Sequence, residues 1–343
     1  MFYFRNDYSC IAHKEVLKRL LDASGEKNVG YGLDKHTLNA KDLIRKKLNN
    51  YDVDVHFLVG GTQCNIVVIS TLLKPYEAVI AVDTGHINVH ETGAIEGQGH
   101  KILTVRGKDG KVLPCEVESV VLGHPDMHMV KPRMVYISNT TEVGTVYSKS
   151  EIKALRDVCD KYNLLLFMDG ARLASALAAS DLCYEDLPEL LDVFYIGGTK
   201  NGGFFGEAVV LVKKELQHEF AYSVKHHGAM LAKGYVCAII FEALMSDDLY
   251  LEIGKHENMC ANILSNGLKE LGFKFLCDSI SNQVFPIFKN SGLDLLRESC
   301  CFEVIEKIDE DNTCIRFVTG FETNEEECLN FLNYIKENLS FFN

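Results

Sequence analysis

The sequence predicts an α/β protein built on a mainly parallel sheet, followed by a smaller α+β unit at the C-terminal end. Three observations carry this expectation. Six short, near-continuous apolar runs fall between about residues 55 and 215. Helical patterns separate them. The last third then changes character, to strands followed by a helix.

The apolar runs are Val55–Val59, Ala78–Val82, Met134–Ile137, Leu164–Met168, Val193–Ile196 and Ala208–Val212. Strands covered by helices on both faces have this near-continuous apolar character. Between the first two, Gln63–Leu73 reads as a helix. Ser150–Tyr162 does too, with Ile152, Leu155 and Cys159 spaced by three and four and a serine cap candidate just before Glu151. A long helical pattern runs from Tyr235 to Leu271 and stops at Gly272, a C′ glycine. Strands are expected at Gln283–Phe288, Phe302–Ile308 and Cys314–Val318, and a last helix between Glu325 and Leu339. These place residues 1–246 in an N-terminal segment and large domain, and 247–343 in the small C-terminal domain.

A chain of 343 residues suggests two domains at about 150 residues each. A composition of 47% hydrophobic and 24% charged residues excludes disorder over most of the chain. The formal net charge of −13 repels a phosphate backbone, and no basic run exceeds Arg45-Lys46-Lys47, so no nucleic-acid partner is expected. No apolar run approaches the roughly 18 residues of a membrane span, so no membrane partner is expected either. The first residues lack the charged and apolar regions of a signal peptide. Twelve cysteines without a repeated C-x-x-C fit a reduced, cytoplasmic protein. Cys300-Cys301 lack companions at zinc spacing, and no metal is expected.

Three segments carry chemistry. Gly60-Gly61-Thr62 joins a strand to a helix, where exposed N–H groups and the helix dipole suit a phosphate; a plain tight turn is the simpler alternative. It is neither a P-loop nor a G-x-G-x-x-G fingerprint, which weakens ATP and NAD readings. Asp169-Gly170-Ala171-Arg172 follows a buried strand, at the end where open α/β sheets bind ligands. Asp169 is alternatively a helix cap. Arg172 offers a fork for a carboxylate. Lys200 sits among glycines in Gly197–Gly203, after the next strand. A lysine desolvated there is a Schiff-base nucleophile; otherwise it is a solvated loop residue. A phosphate cradle, an acid for a ring nitrogen and a lysine together describe a pyridoxal phosphate site, with the ring as electron sink at the substrate α-carbon.

The same residues resemble a known family. Phe167–Leu173 is similar to the D-G-A-R-L segment of low-specificity L-threonine aldolases and the wider β-eliminating lyase group, which are fold-type-I pyridoxal phosphate enzymes. Arg5-Asn6-Asp7 resembles their R-S-D, Tyr31–Asp34 their Y-G-x-D, Gly61–Asn65 their G-T-x-x-N, Gly85–Ile87 and His90–Ala94 their S-H-I and H-E-x-G-A, and Arg316–Thr319 their R-F-V-T. The resemblance spans residues 5 to about 320. It implies a seven-stranded sheet and pyridoxal 5'-phosphate as cofactor. Lys200 would carry the cofactor aldehyde, Asp169 would bind the ring nitrogen, His86 would stack on the ring, and Gly61 and Thr62 would hold the phosphate. Arg172 and Arg316 would bind the substrate carboxylate, with Asn6 and Glu91 near the site. His128, ten residues before Ser138, stands where the family places a second active-site histidine. His226-His227 is a weaker candidate.

Three departures stand out. The family's S-K-G is here Thr199-Lys200-Asn201, Asn6 replaces serine, and Gly320 replaces a frequent histidine. The expected reaction is cleavage of L-threonine or L-allo-threonine to glycine and acetaldehyde, with His86, His128 or a held water as base. Alternatives on the same cofactor are β-elimination, transamination or racemisation of another amino acid; a non-catalytic binding protein is a third reading. The resemblance also implies a homodimer or homotetramer with the active site at the subunit interface, where the segment around Tyr31 reaches a neighbour.

Overall fold

The computed structural model describes residues 1–343. A seven-stranded sheet forms its centre: β1 (Asp54–Leu58), β2 (Glu77–Val82), β3 (Ile102–Val105), β4 (Lys131–Ser138), β5 (Leu165–Asp169), β6 (Val193–Gly197) and β7 (Glu207–Leu211). Their order across the sheet is β1-β7-β6-β5-β4-β2-β3. Only β7 runs against the others, pairing antiparallel with both β6 and β1. The strand ends at Leu58, Val82, Ser138, Asp169 and Gly197 therefore open on one edge of the sheet, where the chemistry gathers.

All six apolar runs are strands of this sheet, with ends shifted by up to three residues. Every residue of β2, β5, β6 and β7 is buried, which is why those runs show no alternation. The seventh strand, β3, escaped the sequence reading. It is an edge strand that alternates, with Leu103 and Val105 inward and Thr104 outward, so it leaves no apolar run.

Helices cover both faces. α1 (Lys35–Lys47) starts at Asp34, whose carboxylate accepts from the Thr37 N–H and hydroxyl, each at 2.8 Å. It ends on Arg45-Lys46-Lys47, so the basic run complements a helix C-terminus rather than a polyanion. α2 spans Gly61–Leu72 and begins two residues earlier than the pattern suggested. α3 (Lys149–Tyr162) is capped by Ser148, not Ser150. The Ser148 hydroxyl accepts from Glu151 N–H at 3.2 Å, and Glu151 accepts from Ser148 N–H at 2.8 Å. α4 covers Leu173–Ala179.

The long pattern from Tyr235 is two helices, α5 (Tyr235–Met245) and α6 (Leu249–Glu270). Asp247 and Asp248, at φ of 50° and 59°, turn the chain between them. A periodicity count misses this, because α5 is buried continuously from Cys237 to Met245 and so has no spacing whose break would mark the turn. Gly272 has φ of 87° and closes α6 as expected.

Beyond it, β8 (Gln283–Val284), β9 (Ile287–Lys289), β10 (Glu303–Lys307) and β11 (Asn312–Val318) form a second sheet around β11, and α7 spans Glu325–Glu337. Phe285-Pro286 splits the single strand expected at 283–288. A separate apolar cluster underlies this sheet, joining Cys260, Leu264, Phe288, Phe317 and Phe331. Phe4 belongs to it too, because the N-terminal strand Phe2–Tyr3 pairs with Cys300–Cys301. The first residues thus pack with the C-terminal core, not with the large sheet.

Candidate active site

A cavity of about 290 Å³ opens at the C-terminal edge of the large sheet. Its walls include Gly60, Gly61 and Thr62 after β1, His86 after β2, Glu142 after β4, Asp169 at the end of β5, and Lys200 after β6. The five residues proposed for the cofactor lie at the ends of four different strands, and the topology brings them together.

Gly60 is the N-cap of α2 and supplies no side-chain cap, so the first N–H groups of a 12-residue helix are left for a ligand. A Cβ on Gly61 would stand 2.8 Å from the Tyr195 hydroxyl. The cradle needs glycine there because Tyr195 closes it from below.

Asp169 is buried among donors. Its Oδ2 accepts from the Tyr136 hydroxyl at 2.6 Å, and its Oδ1 accepts from the Tyr195 hydroxyl and, at 3.0 Å, from Ala171 N–H. Burial first, and then the neighbouring carboxylate, push both phenols well above their ordinary pKa, so both stay donors. The fourth contact, from Asn65 Nδ2 at 3.3 Å, is long, since Asn65 donates at 2.8 Å to Glu91. An acceptor position on Asp169 is therefore weakly held, and a protonated ring nitrogen fits it. Glu91 also accepts from His86 Nδ1 at 2.8 Å. Burial disfavours the charged imidazole, but the bond to Glu91 outweighs it and the His86 pKa is raised.

Lys200 lies on the loop Gly198–Gly206. Asn201, completely buried, ties this loop down by donating to Ala171 O at 2.9 Å and Gly197 O at 2.7 Å. That is the task of the residue departing from S-K-G. The glycine moves one place on because position 202 has φ of 89°, and a Cβ would lie 2.6 Å from Ile253. Burial and the nearby Arg172 lower the Lys200 pKa, which leaves more free amine for an aldehyde.

Glu207, the first residue of β7, accepts from Gly198 N–H at 3.1 Å and the Thr199 hydroxyl at 2.8 Å. Burial pushes its pKa from 4.5 up to about 8. The folded state then binds more protons than the unfolded state between those values. The stability due to protonated Glu207 is complete below about pH 4.5 and is lost as pH rises through about 8. Glu207→Gln is expected to flatten the fall of melting temperature over pH 5 to 9. An unchanged profile would assign the slope to other groups.

Arg172 donates from Nε at 2.6 Å and Nη2 at 3.1 Å to Asp7, and Asn282 Nδ2 donates to the same carboxylate at 2.9 Å. Three distant segments meet in this one contact. Burial opposes the Asp7 charge, but Arg172 and Lys200 outweigh it and its pKa is lowered. Arg316 on β11 donates to Gln283 at 3.3 Å, while its buried Nε has no partner. Burial and Arg172 lower its pKa. An unpaired buried guanidinium N–H calls for an anion. Asn6 is half-buried, and its Oδ1 accepts from Tyr8 N–H and the Ser9 hydroxyl. At Gly320 a Cβ would stand 2.5 Å from Glu322 Oε2, so a larger residue there requires the Glu322 carboxylate to move.

His128 is not in this cavity. It is exposed, three residues before β4 begins, at the opposite edge of the sheet. The strand alone puts roughly 23 Å between that end and the site. His128 therefore cannot serve as base within its own chain; proximity in sequence to β4 was no guide to which end of the strand it occupies. His227 contacts Ser70 and Ser223 at a helix packing contact away from the cavity. Asp7, Asn65, Tyr136, Glu142, Tyr195, Glu207 and Asn282 complete the site, and their roles were not read from sequence. Asp7 and Asn65 left a signal, as the last residues of the segments resembling R-S-D and G-T-x-x-N, and Asn65 lies three residues after Thr62 on the same face of α2.

The residues present fit pyridoxal phosphate: an uncapped helix start, a glycine cradle, a carboxylate with an acceptor position, and a desolvated lysine. This fold and this set define a fold-type-I pyridoxal phosphate enzyme. The chain belongs to the β-eliminating lyase family, which it matches over residues 4–290. It is 35% identical over 272 residues to a low specificity L-threonine aldolase of Pseudomonas sp. (strain NCIMB 10558), covering 78% of each chain. It is 32% identical over 297 residues to the low specificity L-threonine aldolase of Pseudomonas aeruginosa, covering 85% of each. The structure of Leishmania major threonine aldolase superposes with a TM-score of 0.97 at 42% identity, over 98% of this chain and 99% of that one.

Proposed function

We propose that this enzyme cleaves L-threonine and L-allo-threonine to glycine and acetaldehyde. The observation that carries the reading is the meeting of Lys200 and Asp169 in one cavity, with the buried guanidinium of Arg172 and the unpaired Nε of Arg316 available for a carboxylate. Pyridoxal phosphate, when bound, supplies an electron sink to the substrate α-carbon. Gly61 and Thr62 hold its phosphate, Asp169 keeps its ring nitrogen protonated, and His86, oriented by Glu91, lies against its ring. Lys200 offers a neutral amine to its aldehyde. Arg316, with Arg172 braced by Asp7, binds the substrate carboxylate. Fixing that end orients the Cα–Cβ bond for cleavage, and positioning of this kind is worth several kcal/mol. Asn6 stands beside the carboxylate site.

The test is purified enzyme with L-threonine, followed by identification of products. Glycine and acetaldehyde in equal amounts support the reading; pyruvate and ammonia would replace it with β-elimination.

Residues 1–246 and 247–343 are proposed as the large and small domains, with the first strand lent to the small one. No helix is long and apolar enough to cross a membrane, and the twelve free cysteines support a reduced, cytoplasmic setting. A homodimer or homotetramer is proposed from an exposed apolar surface. Val29, Tyr31, Leu33 and Tyr222 are 64%, 51%, 75% and 78% exposed, around an apolar hollow of about 360 Å³. In the assembly the segment at Tyr31 reaches a neighbour's site. Sedimentation of the enzyme is expected to give a dimer or tetramer, and Tyr31→Glu is expected to weaken it and lower activity together. A fully active monomer would refute this.

A further inference from the structure

We propose that Glu142 accepts the proton of the substrate β-hydroxyl as the Cα–Cβ bond breaks, an inference that rests on the aldolase reading above. Three carboxylates line the cavity of Lys200: Asp169, Glu207 and Glu142. Two are committed. Asp169 takes two phenols and a backbone N–H, and Glu207 takes Gly198 N–H and the Thr199 hydroxyl.

Glu142 is left without an ion pair, although cations surround it. Arg172 turns Nε and Nη2 to Asp7, and Arg316 turns Nη1 to Gln283. The Glu142 charge nonetheless acts on His86, Arg172, Lys200 and Arg316. It shares the cavity wall with Lys200 and His86. Half-buried on the loop after β4, it lines the cavity with its carboxylate unpaired. The remaining base candidates are weaker. His86 is already engaged through Nδ1 by Glu91 at 2.8 Å, in the position proposed for stacking on the ring. His128 lies at the far edge of the sheet.

The step balances without a further reactant. The hydroxyl O–H proton passes to the Glu142 carboxylate, and the O–H electron pair forms the new C=O bond of the aldehyde. The Cα–Cβ pair stays with Cα, which then takes a proton to give glycine. Glu142 returns its proton to solvent.

The test uses the holoenzyme carrying Glu142→Gln, with three readouts. Cleavage of L-threonine is expected to fall about a hundredfold. Exchange of the glycine α-proton with deuterated solvent needs no β-hydroxyl base, and it is expected to fall no more than a few-fold. The visible absorbance of the lysine-bound cofactor is expected to persist. Glu142→Ala, read the same way, serves if the glutamine variant does not fold. Cleavage within a few-fold of the unaltered enzyme, or an equal loss of cleavage and exchange, would overturn the proposal. If the unaltered enzyme exchanges glycine but does not cleave threonine, the aldolase reading itself fails, and that result is distinct from both.

Discussion

Replacing Lys200 by alanine is expected to lower threonine cleavage by several orders of magnitude and to remove the visible absorbance of lysine-bound cofactor. No other amine lines the cavity, so nothing substitutes for it. The fold should survive the change. Lys200 has no salt-bridge partner that its loss would strand, and the loop around it is held by Asn201 and Glu207 instead. Its lowered pKa also fixes the sign of the stability effect. In the window below the ordinary 10.5 of a lysine, the unfolded chain binds this proton more readily than the folded one. The charged lysine therefore costs stability, and stability rises with pH across that window. The cofactor-free alanine variant is expected to melt at or above the temperature of the cofactor-free parent near neutral pH. Spectra, initial rates and melting curves on the same preparations check all three expectations. Cleavage near the parental rate would refute the lysine's role, whatever the melting temperature.

Asp169→Asn is the second large expected loss. The substitution keeps the size of the side chain and an oxygen for the Tyr195 hydroxyl and Ala171 N–H, but it removes the negative charge. A ring nitrogen facing a neutral amide no longer holds its proton, and the electron sink weakens. A loss of about 10²–10³ in kcat is expected, of the size seen when one preorganised electrostatic contact is removed. The new NH₂ replaces the oxygen to which the Tyr136 hydroxyl and the Asn65 amide both donate, so both lose that acceptor. A destabilisation of about 1–3 kcal/mol is expected from that buried mismatch. Melting curves separate it from the kinetic loss. A variant with normal kcat would show that Asp169 serves only to anchor the two tyrosines.

The site divides between what was legible along the chain and what was not. Lys200, Asp169, Gly61 and His86 each lie at or just after the end of a strand, so a correct strand reading places each of them at one end of the sheet. Asp7 and Asn282 share one hydrogen-bonded cluster with Arg172, from positions 165 residues before and 110 residues after it. No local pattern marks such a meeting. The tyrosines under Asp169 look like any inward strand residue, since a phenol buried for its ring and one buried for its hydroxyl share the same period. Glu142 and Glu207 look like surface charges until the strand ends beside them are seen to face one cavity. His128 shows the converse, a chemically suitable residue near the right strand but at its wrong end.

The sequence by itself determined the layers of this protein. Residues that must leave water on both faces of a sheet have to be apolar throughout, and that requirement is written locally as runs such as Leu164–Met168. It also determined the cofactor, because the cradle, acid and lysine each sit within a few residues of such a run. Only the tertiary structure decided which charged groups are paired and which are free. Pairing depends on distances between segments far apart in the chain, and at those distances lie both the brace that Asp7 gives Arg172 and the unpaired carboxylate of Glu142.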